Sequence, residues 1–162
     1  MAGTAQRVGI TGHSRLTDRA RGPIVGALRA LLDGVHPLVG VSCLAPGSDQ
    51  LFARVVLDLG GRLEVIVPAS DYRQTRIAAA DRAHFDHLLE RAGAVRVIDR
   101  PHADRAAFRA ANEAMVASVD RLVAVWDGRP DTRLGGTADT VALAVECGLP
   151  VTTLWPAGAR RA

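Results

Sequence analysis

Between an apolar stretch at 121–126 and a segment of helical character, residues 127–139 bring together Gly135, Gly136, Thr137 and Asp139. A glycine pair at a strand-to-helix junction lets backbone N–H groups approach a ligand closely. The helix that follows aims its partial positive charge at the same place, which suits a phosphate or a ribose. Arg129 and Arg133 lie within the run and can close over a phosphate, while Asp127 follows the strand directly and reaches the same rim. Any tight turn of this kind also favours Gly and Thr, so the weight of the run depends on what else the chain offers.

Two other loops offer related chemistry. Thr11-Gly12-His13-Ser14-Arg15 supplies a glycine for a sharp turn, the Ser14 hydroxyl, and an Arg15 guanidinium that can grip an anion through two parallel bonds. His13 has the chemistry of an acid or base, but no partner lies beside it in sequence. The segment from Ser42 to Asp49 leads into a helix, and Ala45-Pro46-Gly47 keeps bulky side chains away from that helix's N-terminus. Ser48 is suited to capping the helix. Asp49 suits the positive end of its dipole, and it can equally accept from ribose hydroxyls.

The elements that must position these loops follow from hydrophobic pattern. Short β-branched runs near 7–11, 38–43, 63–67, 94–98, 122–126 and 151–155 alternate with Ala/Leu/Arg-rich helical segments at 23–32, 48–59, 75–92, 104–118 and 137–147. Gly34, Gly60, Gly93 and Gly148 each fall just past a helix end, where a left-handed cap is expected. The alternation predicts an α/β fold: a single Rossmann-like three-layer domain over 1–162, with a mostly parallel six-stranded sheet and helices on both faces. Ligands in such sheets bind at the carboxyl ends of the strands, where all three loops fall.

The pattern Ser42-x-x-Ala45-x-Gly47-x-Asp49-x-x-x-Ala53 resembles the signature of the SLOG superfamily, which groups Smf/DprA proteins, Lonely Guy phosphoribohydrolases and nucleotide-sensing domains. Val8 to Arg15 resembles that superfamily's first βα turn, and Gly135-Gly136-Thr137 its later glycine-rich turn. The resemblance implies a rim that binds a nucleotide or nucleotide-derived ligand through Gly12, His13, Ser14, Arg15, Ala45, Gly47, Ser48, Asp49, Arg133, Gly135, Gly136 and Thr137. It also implies that a homodimer is a common assembly, on which the residues themselves are silent. Lonely Guy enzymes carry Pro-Gly-Gly-x-Gly-Thr-x-x-Glu; in this chain Leu134 replaces the proline, and Thr140 stands where the catalytic glutamate is expected. A binding or sensing module is therefore the first reading. The alternative is a nucleotide N-glycosidase in which Asp139 or Asp127 stabilises the ribosyl centre and Arg133 or Arg15 holds phosphate.

Composition narrows these readings. At 162 residues the chain can bury a core without disulfides or metals. Cys43 and Cys147 have no CxxC or zinc spacing, no secretory h-region opens the chain, and no apolar run spans a bilayer; a cytoplasmic protein with no membrane partner is expected. The chain has no lysine, which excludes Schiff-base chemistry and a Walker-type phosphate lysine. The net charge of +3 is small and the arginines are mixed with acids, which argues against nucleic acid as a partner, DprA-like single strands included. No resident cofactor or metal is expected. Asp81, His84 and His87 share a helix but read as a solvated charged face; Tyr72 offers a ring for a base to stack on, and Trp126 and Trp155 read as rim packing.

Overall fold

The computed structural model describes residues 3–130 and 133–162, so Asp131 and Thr132 of the 127–139 run lie outside the described residues. Six strands, β1 (Gln6–Gly12), β2 (Leu38–Ser42), β3 (Arg62–Val67), β4 (Ala94–Val97), β5 (Arg121–Val125) and β6 (Val151–Leu154), form one sheet in the order β4-β3-β2-β1-β5-β6. Every adjacent pair is parallel. The chain steps outward from β1 to β4, then returns to lay β5 beside β1, with Gly12 in register with Val125. Strand order therefore reverses between β1 and β5.

Helices α1 (Asp18–Leu32), α2 (Ser48–Asp58), α3 (Tyr72–Arg76), α4 (Arg82–Glu90), α5 (Arg105–Ser118) and α6 (Thr137–Glu146) cover both faces of this sheet. Alternation along the strands sorts the core. Val8 and Ile10 of β1 pack with Ile24 and Leu28 of α1 and Phe52 and Val56 of α2. Val39 and Val41 of β2 face the other way, onto Ala111 and Met115 of α5 and Ala144 of α6. A third cluster joins Leu63 and Val65 of β3 to Phe85 and Leu88 of α4.

Three local expectations are corrected. The helix at 75–92 is divided into α3, a 3-10 turn at Ala79–Asp81, and α4. Ile77 leaves α3 in an extended conformation and is buried, and the Arg82 guanidinium donates to the carbonyls of Arg73, Gln74 and Ile77. Burial of one side chain and satisfaction of the freed carbonyls thus outweigh helix propensity. Helix α1 starts at Asp18, so Pro23 lies inside it instead of opening it. Gly34, Gly60 and Gly148 adopt the left-handed conformation, at φ 84°, 78° and 72°, whereas Gly93 does not; a Cβ there would instead meet Arg62. Among the described residues no helix is long and apolar enough to cross a membrane.

Candidate functional site

The loops that follow β1, β2, β3 and β5 open on one cleft of about 820 Å³ at the carboxyl rim of the sheet. It straddles the reversal between β1 and β5, the position at which open α/β sheets take ligands. Of the residues expected from sequence, Gly12, His13, Ser14, Arg15, Ala45, Asp49, Arg133, Gly135, Gly136 and Thr137 line it. Gly47, Ser48, Asp127 and Asp139 lie outside its lining.

The glycines act differently from the expectation. A Cβ on Gly12 would stand 2.7 Å from Ser48 Cβ and 2.9 Å from Val125 Cβ. On Gly47, at φ 83°, it would stand 2.5 Å from the Ser14 carbonyl oxygen, and on Gly135, at φ 76°, 2.7 Å from Phe108 Cβ. These glycines let loops pack on loops; the rim they build is what meets solvent. Ser48 belongs to the same joint. It is the first residue of α2 after Gly47 and does not cap the helix; its backbone N–H and its Oγ both donate to the His13 carbonyl, at 3.2 and 2.8 Å.

The fold gathers positive charge. Arg15, Arg76, Arg105, Arg133 and Arg161 all line the cleft, against the carboxylates of Asp49 and Asp81. Arg76 is anchored by a hydrogen bond to the Ala103 carbonyl and lies over the Phe108 ring at 5.2 Å. Among the described residues no ion pair or hydrogen bond holds the side chain of Arg15 or Arg105. The first residues of α6, Thr137 and Ala138, are on the wall, and the opening N–H groups of a helix have no acceptor within it. An anion entering this cleft meets guanidinium groups and a helix N-terminus together.

The carboxylates divide into two kinds. Asp139 accepts from Arg109 at 2.6 Å and from the Gly135 N–H at 2.8 Å, which closes the glycine turn onto α6. Asp127 accepts from Arg161 at 2.7 Å and from the Arg129 N–H at 3.1 Å, and lies 3.3 Å from His13 Nε2. Burial pushes the Asp127 carboxyl up, but the Arg161 and Arg129 hydrogen bonds and the charges of Arg161 and His13 outweigh it and bring its pKa to about 2. Burial, then the Arg161 charge, hold His13 below its ordinary value despite Asp127, so its ring is neutral at physiological pH. Both candidate catalytic carboxylates are thus engaged in structural contacts. Asp49 is different: it is buried, it lines the cleft, and burial raises it to about 7 against the lowering effect of the Ala45 N–H.

Thr140, at the position of the missing glutamate, is fully buried and donates its hydroxyl to the Gly136 carbonyl at 2.9 Å. Tyr72 borders the cleft but is buried against Phe85 and Phe108, so little of its ring face is open to a base. Trp155 stands edge-on to His13 at 5.3 Å, and the Trp126 indole N–H donates to the Arg129 carbonyl. Asp81 faces this cleft, whereas His84 and His87 border a separate hollow between α2 and α4; the three do not converge. Cys43 is buried and Cys147 exposed. Burial, followed by the Asp49 charge, pushes the Cys43 thiol far above its ordinary value and leaves it no nucleophile.

Sequence reasoning missed Arg76, Arg105, Phe108, Asn112 and Arg161. Arg105, Phe108 and Asn112 sit three and four residues apart on α5, a spacing that puts them on one helix face and was open to discovery. Arg161 was not. It reaches the cleft because the end of the chain runs back along the first loop, with Thr17 N–H donating to Arg160, Ala162 N–H to Arg15, and Ala159 buried.

No protein-family model matches the chain, and no curated protein does. Solved structures do. DNA processing protein A (DprA) from Streptococcus pneumoniae superposes with a TM-score of 0.69 at 18% identity, over 94% of this chain and 51% of that one. DNA processing protein A from Helicobacter pylori, described by its single-stranded DNA binding mode, gives 0.67 at 17% identity, over 96% and 68%. The molybdenum cofactor binding protein from Rippkaea orientalis gives 0.61 at 18%, over 93% and 76%. The chain thus spans about half the length of the S. pneumoniae protein. These are SLOG-type Rossmannoid folds, and this chain shares that fold, as the resemblance implied. The expectation set against nucleic acid is corrected: two similar structures are DNA-processing proteins, and the cleft collects arginines that are scattered in sequence.

Proposed function

We propose that the cleft binds a nucleotide or nucleotide-derived anion, without requiring its turnover, and that the chain acts as a binding or sensing module in the cytoplasm. One observation carries the reading: the post-strand loops converge at the strand-order reversal on a cleft with five arginines and the N-terminus of α6. In this reading Arg15, Arg105 and Arg133 hold phosphate with the α6 amides, while Gly12, Gly47 and Gly135 hold the loops in place. The glycosidase alternative gains no support from the geometry, because Asp127 and Asp139 are bound to arginines and lie outside the cleft lining.

A thermal-shift series with nucleoside mono-, di- and triphosphates and cyclic nucleotides tests the proposal. Stabilisation that follows RT ln(1 + [L]/Kd) is expected; the absence of any shift at millimolar ligand overturns it.

Single-stranded nucleic acid is the second reading, favoured by the same arginines and by the likeness to DNA processing protein A. Polarisation of a labelled oligothymidylate distinguishes the two. Binding whose logarithm falls with log salt by roughly 0.7 per phosphate engaged, and which free nucleotides compete away, supports it.

A further inference from the structure

Asp49 is a buried carboxylate, only 7% exposed, in a cleft otherwise rich in arginine. It is the second residue of α2 and makes no capping hydrogen bond. Its Oδ2 accepts from the Ala45 N–H at 3.3 Å, outside the helix, and its Oδ1 has no partner among the described residues. A carboxylate with little access to water and one oxygen without a protein donor gains from a ligand donor that reaches it. A bound phosphate adds like-charge repulsion. Both are answered by one kind of ligand, an anion that carries N–H donors to this carboxyl. Ile10, Cys43 and Tyr72, which the core buries, line the same cleft.

Building on the nucleotide reading above, we propose that Asp49 is the specificity-determining residue of the cleft and selects a ring with two adjacent N–H donors, the N1–H and 2-amino edge of guanine. Oδ1 offers two lone-pair sites and Oδ2 one beyond its bond to Ala45, enough for both donors. Adenine places an acceptor nitrogen beside its amine, and hypoxanthine keeps only one of the two donors. A site built on hydrogen-bond acceptance rejects an analogue that lacks the donor far more strongly than an apolar pocket rejects a missing methylene.

Calorimetric titration of the full chain with the 5′-monophosphates of guanosine, 2′-deoxyguanosine, inosine and adenosine tests this. The two guanine nucleotides bind alike, and each binds about tenfold or more tightly than the inosine and adenosine nucleotides. In Asp49→Asn, an isosteric change whose folding is checked by its melting curve, an amide N–H donates where the carboxylate accepted. Guanosine monophosphate then weakens by about tenfold, and xanthosine monophosphate, which has an oxygen in place of the 2-amino group, binds more tightly than to the wild type. Inosine and guanosine monophosphates of equal affinity overturn the proposal. So does a loss confined to the deoxy compound, which would put the carboxyl on the ribose, or an Asn variant of unchanged selectivity. Binding without ring preference defeats this inference alone; no nucleotide binding at all defeats the proposed function as well.

Discussion

Asp127 Oδ1 lies 3.3 Å from His13 Nε2, which joins the loop after β1 to the loop after β5 across the point where strand order reverses. The joint is reinforced by the backbone, since His13 N–H donates to the Val125 carbonyl at 3.1 Å, and by the Arg161 guanidinium on the same carboxylate oxygen. His13, without a partner in sequence, finds one 114 residues away. With the ring neutral, Nε2 accepts from the Asp127 backbone N–H at 3.3 Å, and its approach to the ionised carboxylate is not an ion pair at physiological pH. This contact holds the cleft's two walls together.

Asp127→Asn weakens that joint in a pH-dependent way. The carboxyl has an ordinary pKa of 3.8 and sits at about 2 in the folded chain, so its contribution is present above the ordinary value and is lost as pH falls through the folded one. At neutral pH the variant loses about 1–2 kcal/mol relative to wild type, and the difference shrinks steadily below about pH 4. Urea midpoints measured at about pH 7 and about pH 3 check it; a difference of the same size at both removes the linkage.

Asp49 predicts the opposite slope. Its folded value of about 7 lies above the ordinary 3.8, so the protonated group's stabilisation is full below the ordinary value and disappears as pH rises through the folded one. Asp49→Asn, which carries no proton equilibrium, therefore gains on wild type between about pH 4 and about pH 8. The gain is on the order of 1–4 kcal/mol in the absence of ligand. Thermal melts across that range decide it, and parallel curves for the two proteins count against a buried carboxylate.

Gly12→Ala and Gly47→Ala attack the loop joint sterically. At Gly12 the new methyl meets Ser48 and Val125; at Gly47 it meets the Ser14 carbonyl in a backbone conformation that disfavours any side chain. Each variant loses about 2–4 kcal/mol, read as a melting-temperature drop of several degrees. Gly128→Ala, with open space around the added carbon, is the control for left-handed strain alone and loses about 1 kcal/mol.

Arg105 and Arg109 lie one helical turn apart on α5 and separate binding from stability. Arg105 lines the cleft, while Arg109 is paired with Asp139 and Glu113. Arg105→Ala weakens nucleotide binding by about tenfold with its melting temperature nearly unchanged. Arg109→Ala lowers the melting temperature by a few degrees through the freed Asp139 and Gly135 turn. Equal effects of the two on affinity would show that the cleft is not where phosphate binds.

Much of the frame was legible because it rests on local rules. Val8 and Ile10 alternate with small residues as a strand does, Ile24 and Leu28 recur at helical spacing, and Gly34, Gly60 and Gly148 stop their helices where expected. The failures came where a distant contact overruled a local preference: buried Ile77 and the reach of Arg82 broke a helix the pattern ran straight through. At the site, Arg15 and Gly136 were found from their loops, whereas Arg76 and Arg161 carried no local mark.

The order of the elements and the rim on which the chemistry must lie belong to the sequence alone, since hydrophobic period and turn residues act over a few positions. Which groups meet is a tertiary matter. The pairing of Asp127 with His13, the withdrawal of Asp139 onto Arg109, the burial of Asp49 and the collection of arginines from five different segments are set by how distant parts of the chain come together in the sheet. Coulomb and desolvation energies are set by distances between residues far apart along the chain, and only the folded register determines those distances.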